Sequence, residues 1–157
     1  MKKLIGSAIA LFCLPVMSWA GLAEVTVKAE LKDNVTLKIT NQDNSFCILK
    51  AFPSSLSLKG NSSGVLNIDT NQDCYRGGGG GGLRVAKEGK THRYQMYAFE
   101  INNQEDMIGS GIFKCYQIGD TWQSCLIQEV KGSWNVQSER QNQERDHGRI
   151  TITFKRK

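Results

Sequence analysis

The feature that narrows the fold most is an apolar period of two. In "VTVKAEL" the apolar residues Val25, Val27, Ala29 and Leu31 alternate with Thr26, Lys28 and Glu30. Side chains of a strand point to opposite faces in turn, so only an extended chain gathers these apolar residues on one side. "VTLKIT" repeats the pattern with Val35, Leu37 and Ile39 after a Lys32-Asp33-Asn34 turn, and the two segments are expected to form a hairpin. Further strands are predicted over 46–51, 56–59, 65–69, 83–86, 93–101, 111–117, 122–129, 133–137 and 149–155. Within 93–101 the apolar parity shifts from Tyr94 and Met96 to Tyr97, Phe99 and Ile101, which predicts a bulge or a strand buried on both faces.

No window of a dozen residues carries the i, i+3, i+4, i+7 pattern of an amphipathic helix. Turn signals recur at intervals of roughly ten residues, the spacing of a sandwich or barrel. The predicted fold is therefore all-β: a single antiparallel β-sandwich, immunoglobulin-like in the broad sense, or a partly open barrel. A strict immunoglobulin arrangement does not fit, because Trp122 and Trp134 fall late in the chain and Trp122 lies inside a short cysteine pair.

Residues 1–20 read as a cleaved signal peptide. Lys2 and Lys3 precede the apolar run Leu4 to Leu14, Pro15 breaks it, and Ser18-Trp19-Ala20 offers small residues where a signal peptidase reads. The run is shorter than the ~18 apolar residues needed to cross a bilayer. Cys13 follows bulky Leu11 and Phe12, unlike a lipid-attachment cysteine. The mature chain is then expected to be one domain over 21–157, in the periplasm or outside the cell, with no membrane span.

Removing Lys2 and Lys3 leaves 18 basic residues against 15 acidic ones, a net charge of +3. The excess is concentrated late, at Arg140, Arg145, Arg149, Lys155, Arg156 and Lys157. Such an edge can meet an acidic partner, but basic residues also keep an edge strand from pairing with other chains. An edge that does pair would give a dimer.

Four cysteines follow the signal segment, an even number in a compartment that permits disulfides. Between Cys115 and Cys125, Ile118-Gly119-Asp120-Thr121 reads as a hairpin turn. A three-residue loop over Gly119 to Thr121 sets Cys115 opposite Cys125. A strict Gly-Asp turn sets Cys115 opposite Ser124, so the pairing then needs one extra residue or a bulge. Cys115 with Cys125 is favoured, leaving Cys47 with Cys74. A zinc site is disfavoured, since no C-x-x-C pair occurs and neither His92 nor His147 sits in a ligand-like array. No cofactor is expected.

The run of six glycines, Gly77 to Gly82, invites comparison with a phosphate cradle. Such cradles need a Lys and a Ser or Thr at their end and a helix beyond. Here Leu83, Arg84 and Val85 read as a strand. Glycine loses the most backbone entropy on ordering, so residues 75–82 read as a slack connection. Tyr75, Arg76 and Arg84 flank it and are candidate contacts for a partner, as is Trp122 at the hairpin tip, with core packing as its equal alternative.

Catalytic groups are sparse. His92 opens a strand, His147 sits in "ERDHGR", and neither neighbourhood resembles a nucleophile elbow or a metalloprotease helix. Glu105 and Asp106 are adjacent in a polar loop. Nucleic-acid binding is disfavoured because Tyr94, Tyr97 and Phe99 are assigned to the core. The sequence therefore reads as a binding module for another exported or envelope-associated protein, an inhibitor or immunity-type protein rather than an enzyme. The alternatives are an adhesion or envelope-assembly component, or a small secreted hydrolase with its site near His92 or His147.

Overall fold

The computed structural model describes residues 22–42, 48–70, 84–85, 91–118, 121–142 and 147–157. Among them the chain is all-β, with eleven strands and no helix. These are β1 (Leu22–Glu30), β2 (Val35–Gln42), β3 (Ile48–Phe52), β4 (Ser55–Lys59), β5 (Asn61–Thr70), β6 (Arg84–Val85), β7 (Thr91–Asn103), β8 (Asp106–Ile118), β9 (Thr121–Lys131), β10 (Trp134–Asn142) and β11 (His147–Arg156).

They form two sheets packed face to face rather than a closed barrel. The first runs β10-β11-β1-β5-β3 and the second β4-β2-β7-β8-β9, with β6 paired to β7. All pairings are antiparallel except β1 with β11, which run parallel with Val25 opposite Ile150 and Val27 opposite Ile152.

The predicted β1–β2 hairpin does not form. β1 joins the first sheet and β2 the second, so the Lys32–Val35 turn, closed by Val35 N donating to Lys32 O at 2.9 Å, carries the chain across the sandwich. The apolar faces of the two strands meet through the core instead of lying side by side. Period-two patterning specifies a buried face, not the neighbour within the sheet.

The core is filled from both inner faces. Val25, Val27, Leu66, Ile68, Ile150, Ile152 and Phe154 come from the first sheet, and Leu37, Ile39, Tyr97, Phe99, Ile101 and Phe113 from the second. Phe99 meets Phe154 edge-on at 4.9 Å between ring centroids, and Tyr97 stacks on Phe113 at 5.0 Å. Aromatic pairs in such offset or edge-on arrangements add attraction beyond their buried area.

Cys115 and Cys125 are joined, with Cα atoms 4.0 Å apart. Ile118 pairs with Thr121 and Gln117 with Trp122, so the connection is the short Gly-Asp one. A bulge before the cysteines then brings Cys115 opposite Cys125. Cys47 and Cys74 lie outside the described residues, as does the glycine-rich stretch 75–82.

Candidate functional site

In β7 the inward positions are Gln95, Tyr97, Phe99 and Ile101, and the strand keeps this alternation from Tyr94 to Ile101 without a bulge. Of the two predicted explanations for the parity shift, the structure shows the second in modified form. Both faces of β7 carry apolar residues, but the outer one is half-buried and looks to solvent.

That outer face is the candidate site. Pairing of β7 with β8 sets Tyr94 opposite Tyr116, Met96 opposite Lys114 and Ala98 opposite Ile112. On the far side of β8, Leu126 of β9 stands opposite Lys114 and is 50% exposed. The tyrosine rings lie 5.7 Å apart at 46°, and Lys114 Nζ sits 5.4 Å from the centre of the Tyr94 ring. A cation over an aromatic face is attracted by the ring's quadrupole. Burial raises the Tyr116 hydroxyl above its ordinary ionisation range, with Tyr94 as a second cause, so the Tyr116 phenol stays a neutral donor through neutral pH.

A sheet face exposed to water ordinarily carries polar residues. The outer side of β1, with Glu24, Thr26, Lys28 and Glu30, follows that rule, and the Tyr94–Met96–Lys114–Tyr116–Leu126 surface does not. Stiff aromatic side chains on a sheet offer large contact area at low entropic cost, each with a polar tip.

The surface is held from beneath by a polar network. Gln95 is fully buried, and its Nε2 donates to Asn41 Oδ1, Gln42 O and Met96 O. Asn41 N in turn donates to Ser54 O at 2.8 Å. These bonds fix the end of β2 against β7 directly under Met96.

The residues singled out in the sequence fall elsewhere. Tyr75 and Arg76 lie outside the described residues. Arg84 belongs to β6, where its backbone pairs with His92 of β7. Trp122 is 2% exposed and packs on Gly148, so it fills the core and does not present itself to a partner. Bulk decides this: with no Cβ at Gly148, the indole is drawn in under β11. His147 opens β11, half-buried, its Nε2 enclosed without a hydrogen-bond partner. Glu105 and Asp106 are exposed at the β7–β8 turn. Among the described residues no group of three or more His, Cys, Asp or Glu could hold a metal ion, and no helix is long and apolar enough to cross a membrane.

Tyr97 and Phe99 do fill the core, as the sequence predicts, whereas Tyr94 does not. Reading β7 and β8 as one regular hairpin about the Asn103–Asp106 turn sets Tyr94 opposite Cys115; the register shift between Ile101 and Asn102 is what brings Tyr116 opposite Tyr94, and taken strand by strand the aromatics all look like core.

No protein-family model and no curated protein matches this sequence. Among solved structures the chain is similar to RahU protein, described in complex with a TRIS molecule, with a TM-score of 0.54, 13% identity, and coverage of 89% of this chain and 98% of that one. It also matches IP-1A from Alcaligenes faecalis, with a TM-score of 0.48, 12% identity and coverage of 88% and 93%. At such identity the likeness to RahU is one of fold.

Proposed function

We propose that this is an exported protein that acts by binding another exported or envelope-associated protein, as an inhibitor or immunity-type partner, through the outer face of β7, β8 and β9. The observation that carries this reading is the Tyr94–Tyr116–Lys114 cluster, flanked by Met96 and Leu126, on a solvent-facing sheet. Tyrosine is enriched among residues that dominate interface energetics, and apolar neighbours around it exclude water. The Cys115–Cys125 bridge supports export, since disulfides persist in oxidising compartments.

The test is capture from envelope extract and culture medium on immobilised oxidised protein, beside the Tyr94→Ala/Tyr116→Ala variant and a reduced, unfolded control. A protein retained stoichiometrically by the native bait and lost with the variant supports the reading. Equal retention by both folded baits removes this face from the interaction, and no retention above the unfolded control removes the binding role.

A further inference from the structure

At the other end of the sandwich, about 30 Å from Tyr94 along β7, lies a recess of about 380 Å3. We propose that it is a binding site for a small organic acid: a carboxylate on a compact apolar body. The proposal is independent of the tyrosine face.

The floor is apolar. Leu31, Val35, Ile108 and Trp134 line it, and Val35 and Trp134 are buried. Trp134 is fixed in place rather than packed loosely. Its Nε1 donates to Ile108 O at 3.0 Å, and glycines flank the indole where any side chain would collide. A Cβ on Gly132 would lie 2.9 Å from Trp134 Cδ1, and one on Gly109 3.2 Å from Cε2. Gly132 also has a φ of +89°, a backbone that other residues rarely adopt.

The walls are pinned. Asn34 Nδ2 donates to Asn103 Oδ1 at 2.7 Å, tying the β1–β2 turn to the β7–β8 turn, and Lys157 N donates to Ser133 O at 3.0 Å. The recess is therefore preformed, with an apolar floor, a few polar groups and a volume within the range of small-molecule sites.

Charge selects the ligand. Lys32, Arg156 and one carboxylate, Glu30, are the charged residues that line the recess, a surplus of one positive charge in its lining. Arg156 pairs with Trp134 across β11 and β10, so the guanidinium belongs to the residue directly opposite the indole. A guanidinium recognises a carboxylate through two parallel hydrogen bonds. Two further features mark this end. Met107, Ile108 and Val130 are exposed at 62%, 38% and 39%, and Gln104 and Glu129, at φ 56° and 53°, are the non-glycine residues in left-handed backbone among those described. Strained backbone of that kind concentrates where function requires it.

The experiment is a titration of the full oxidised chain with 3-phenylpropionate, 3-phenylpropanol and 3-phenylpropylamine, followed by calorimetry and by the indole N–H resonance of Trp134. Saturable one-to-one binding is expected, tightest for the acid and weakest for the amine, with the Trp134 resonance shifting in step. Arg156→Gln and Lys32→Gln, both exposed positions, should each weaken the acid at least fivefold while leaving the alcohol unchanged. Tyr94→Ala should leave all three unchanged, which separates this site from the tyrosine face. No saturable binding, equal binding of acid and amine, or an acid affinity indifferent to Arg156→Gln would overturn the proposal.

Discussion

Gly148 and Trp122 stand so close that no side chain fits between them. A Cβ at 148 would lie 2.6 Å from Trp122 Cγ and 2.9 Å from its Cδ1. Gly148 is paired with Ala23 in the parallel β1–β11 ladder, and Trp122 comes from the edge of the other sheet, so one missing Cβ sets the spacing between the sheets at this corner. Gly148→Ala should destabilise the fold by about 1–3 kcal/mol, the usual cost of overpacking a filled core. Urea unfolding checks this; a midpoint equal to that of the unsubstituted protein would mean that β11 moves freely against β9.

The Cys115–Cys125 bridge closes a short loop, at a sequence separation of 10. In the chain-entropy account a loop of that size gives about 2–3 kcal/mol. Replacing both cysteines by alanine should cost at least that much, because both are also buried. The bulged register makes a sharper test. In a Cys125→Ala/Ser124→Cys variant, Cys115 should not crosslink to position 124, because Ser124 is not the residue opposite Cys115. An efficient 115–124 crosslink would show that the hairpin slips by one residue.

How far the sequence could be read depends on what each signal encodes. Strand positions followed from alternation, and Cys115–Cys125 from a hairpin about Gly119-Asp120 once one extra residue or a bulge is allowed, which the register shift between Cys115 and Gln117 supplies. Sheet partners did not follow. β1 and β2 look like a hairpin because a three-residue polar turn joins two alternating strands, and nothing local distinguishes a turn within a sheet from one between sheets. Trp122 was ambiguous for a similar reason: a hairpin-tip tryptophan is exposed or buried according to what β11 places above it, and Gly148 lies 26 residues away in the chain. The tyrosine face needed the pairing of two strands before its residues could be seen as neighbours.

The outer face of β7 and β8 should tolerate truncation of its aromatics. Tyr94 and Tyr116 are half-buried and pack on each other rather than in the core. Tyr94→Ala and Tyr116→Ala should each cost about 1 kcal/mol or less of stability, the scale of a cross-strand pair. If the face binds a partner, each should weaken that binding by about 1–2 kcal/mol or more. Thermal unfolding and quantitative capture on the same samples separate the two effects; a loss of stability well above 1 kcal/mol would make the pair structural.

Gln104 turns the β7–β8 hairpin with a φ of 56°, where a residue with a side chain is strained by about 1–2 kcal/mol. Asn103 and Asp106 are opposed in register, so the connection is the two-residue one that prefers glycine in left-handed backbone. Gln104→Gly should therefore raise stability by about 0.5–1 kcal/mol after the entropy that glycine adds to the unfolded chain. Denaturant unfolding reads this directly, and a destabilised variant would show that the Gln104 side chain holds the turn.

Tyr97 offers a prediction about pH. Its ring is buried against Phe113, its hydroxyl is enclosed without a hydrogen-bond partner, and burial holds that hydroxyl neutral well above the ordinary tyrosine range. Below about pH 10 the phenol is protonated in both folded and unfolded chains, so it adds no slope. Above that, the unfolded chain releases the proton and the folded one does not, so stability falls as pH rises, by at most about 1.4 kcal/mol per pH unit for this one group. Tyr97→Phe keeps the ring contact and removes the hydroxyl. At neutral pH it should be neutral or stabilising by up to about 1 kcal/mol, since an unpaired buried hydroxyl is lost. Between pH 10 and 11 the variant should gain on the unsubstituted protein as alkalinity rises. Urea unfolding at pH 7, 10 and 11 gives both numbers. Destabilisation by more than about 1 kcal/mol at pH 7 would mean that the hydroxyl has a partner, and parallel pH profiles would mean that Tyr97 ionises as readily in the folded chain as in the unfolded one.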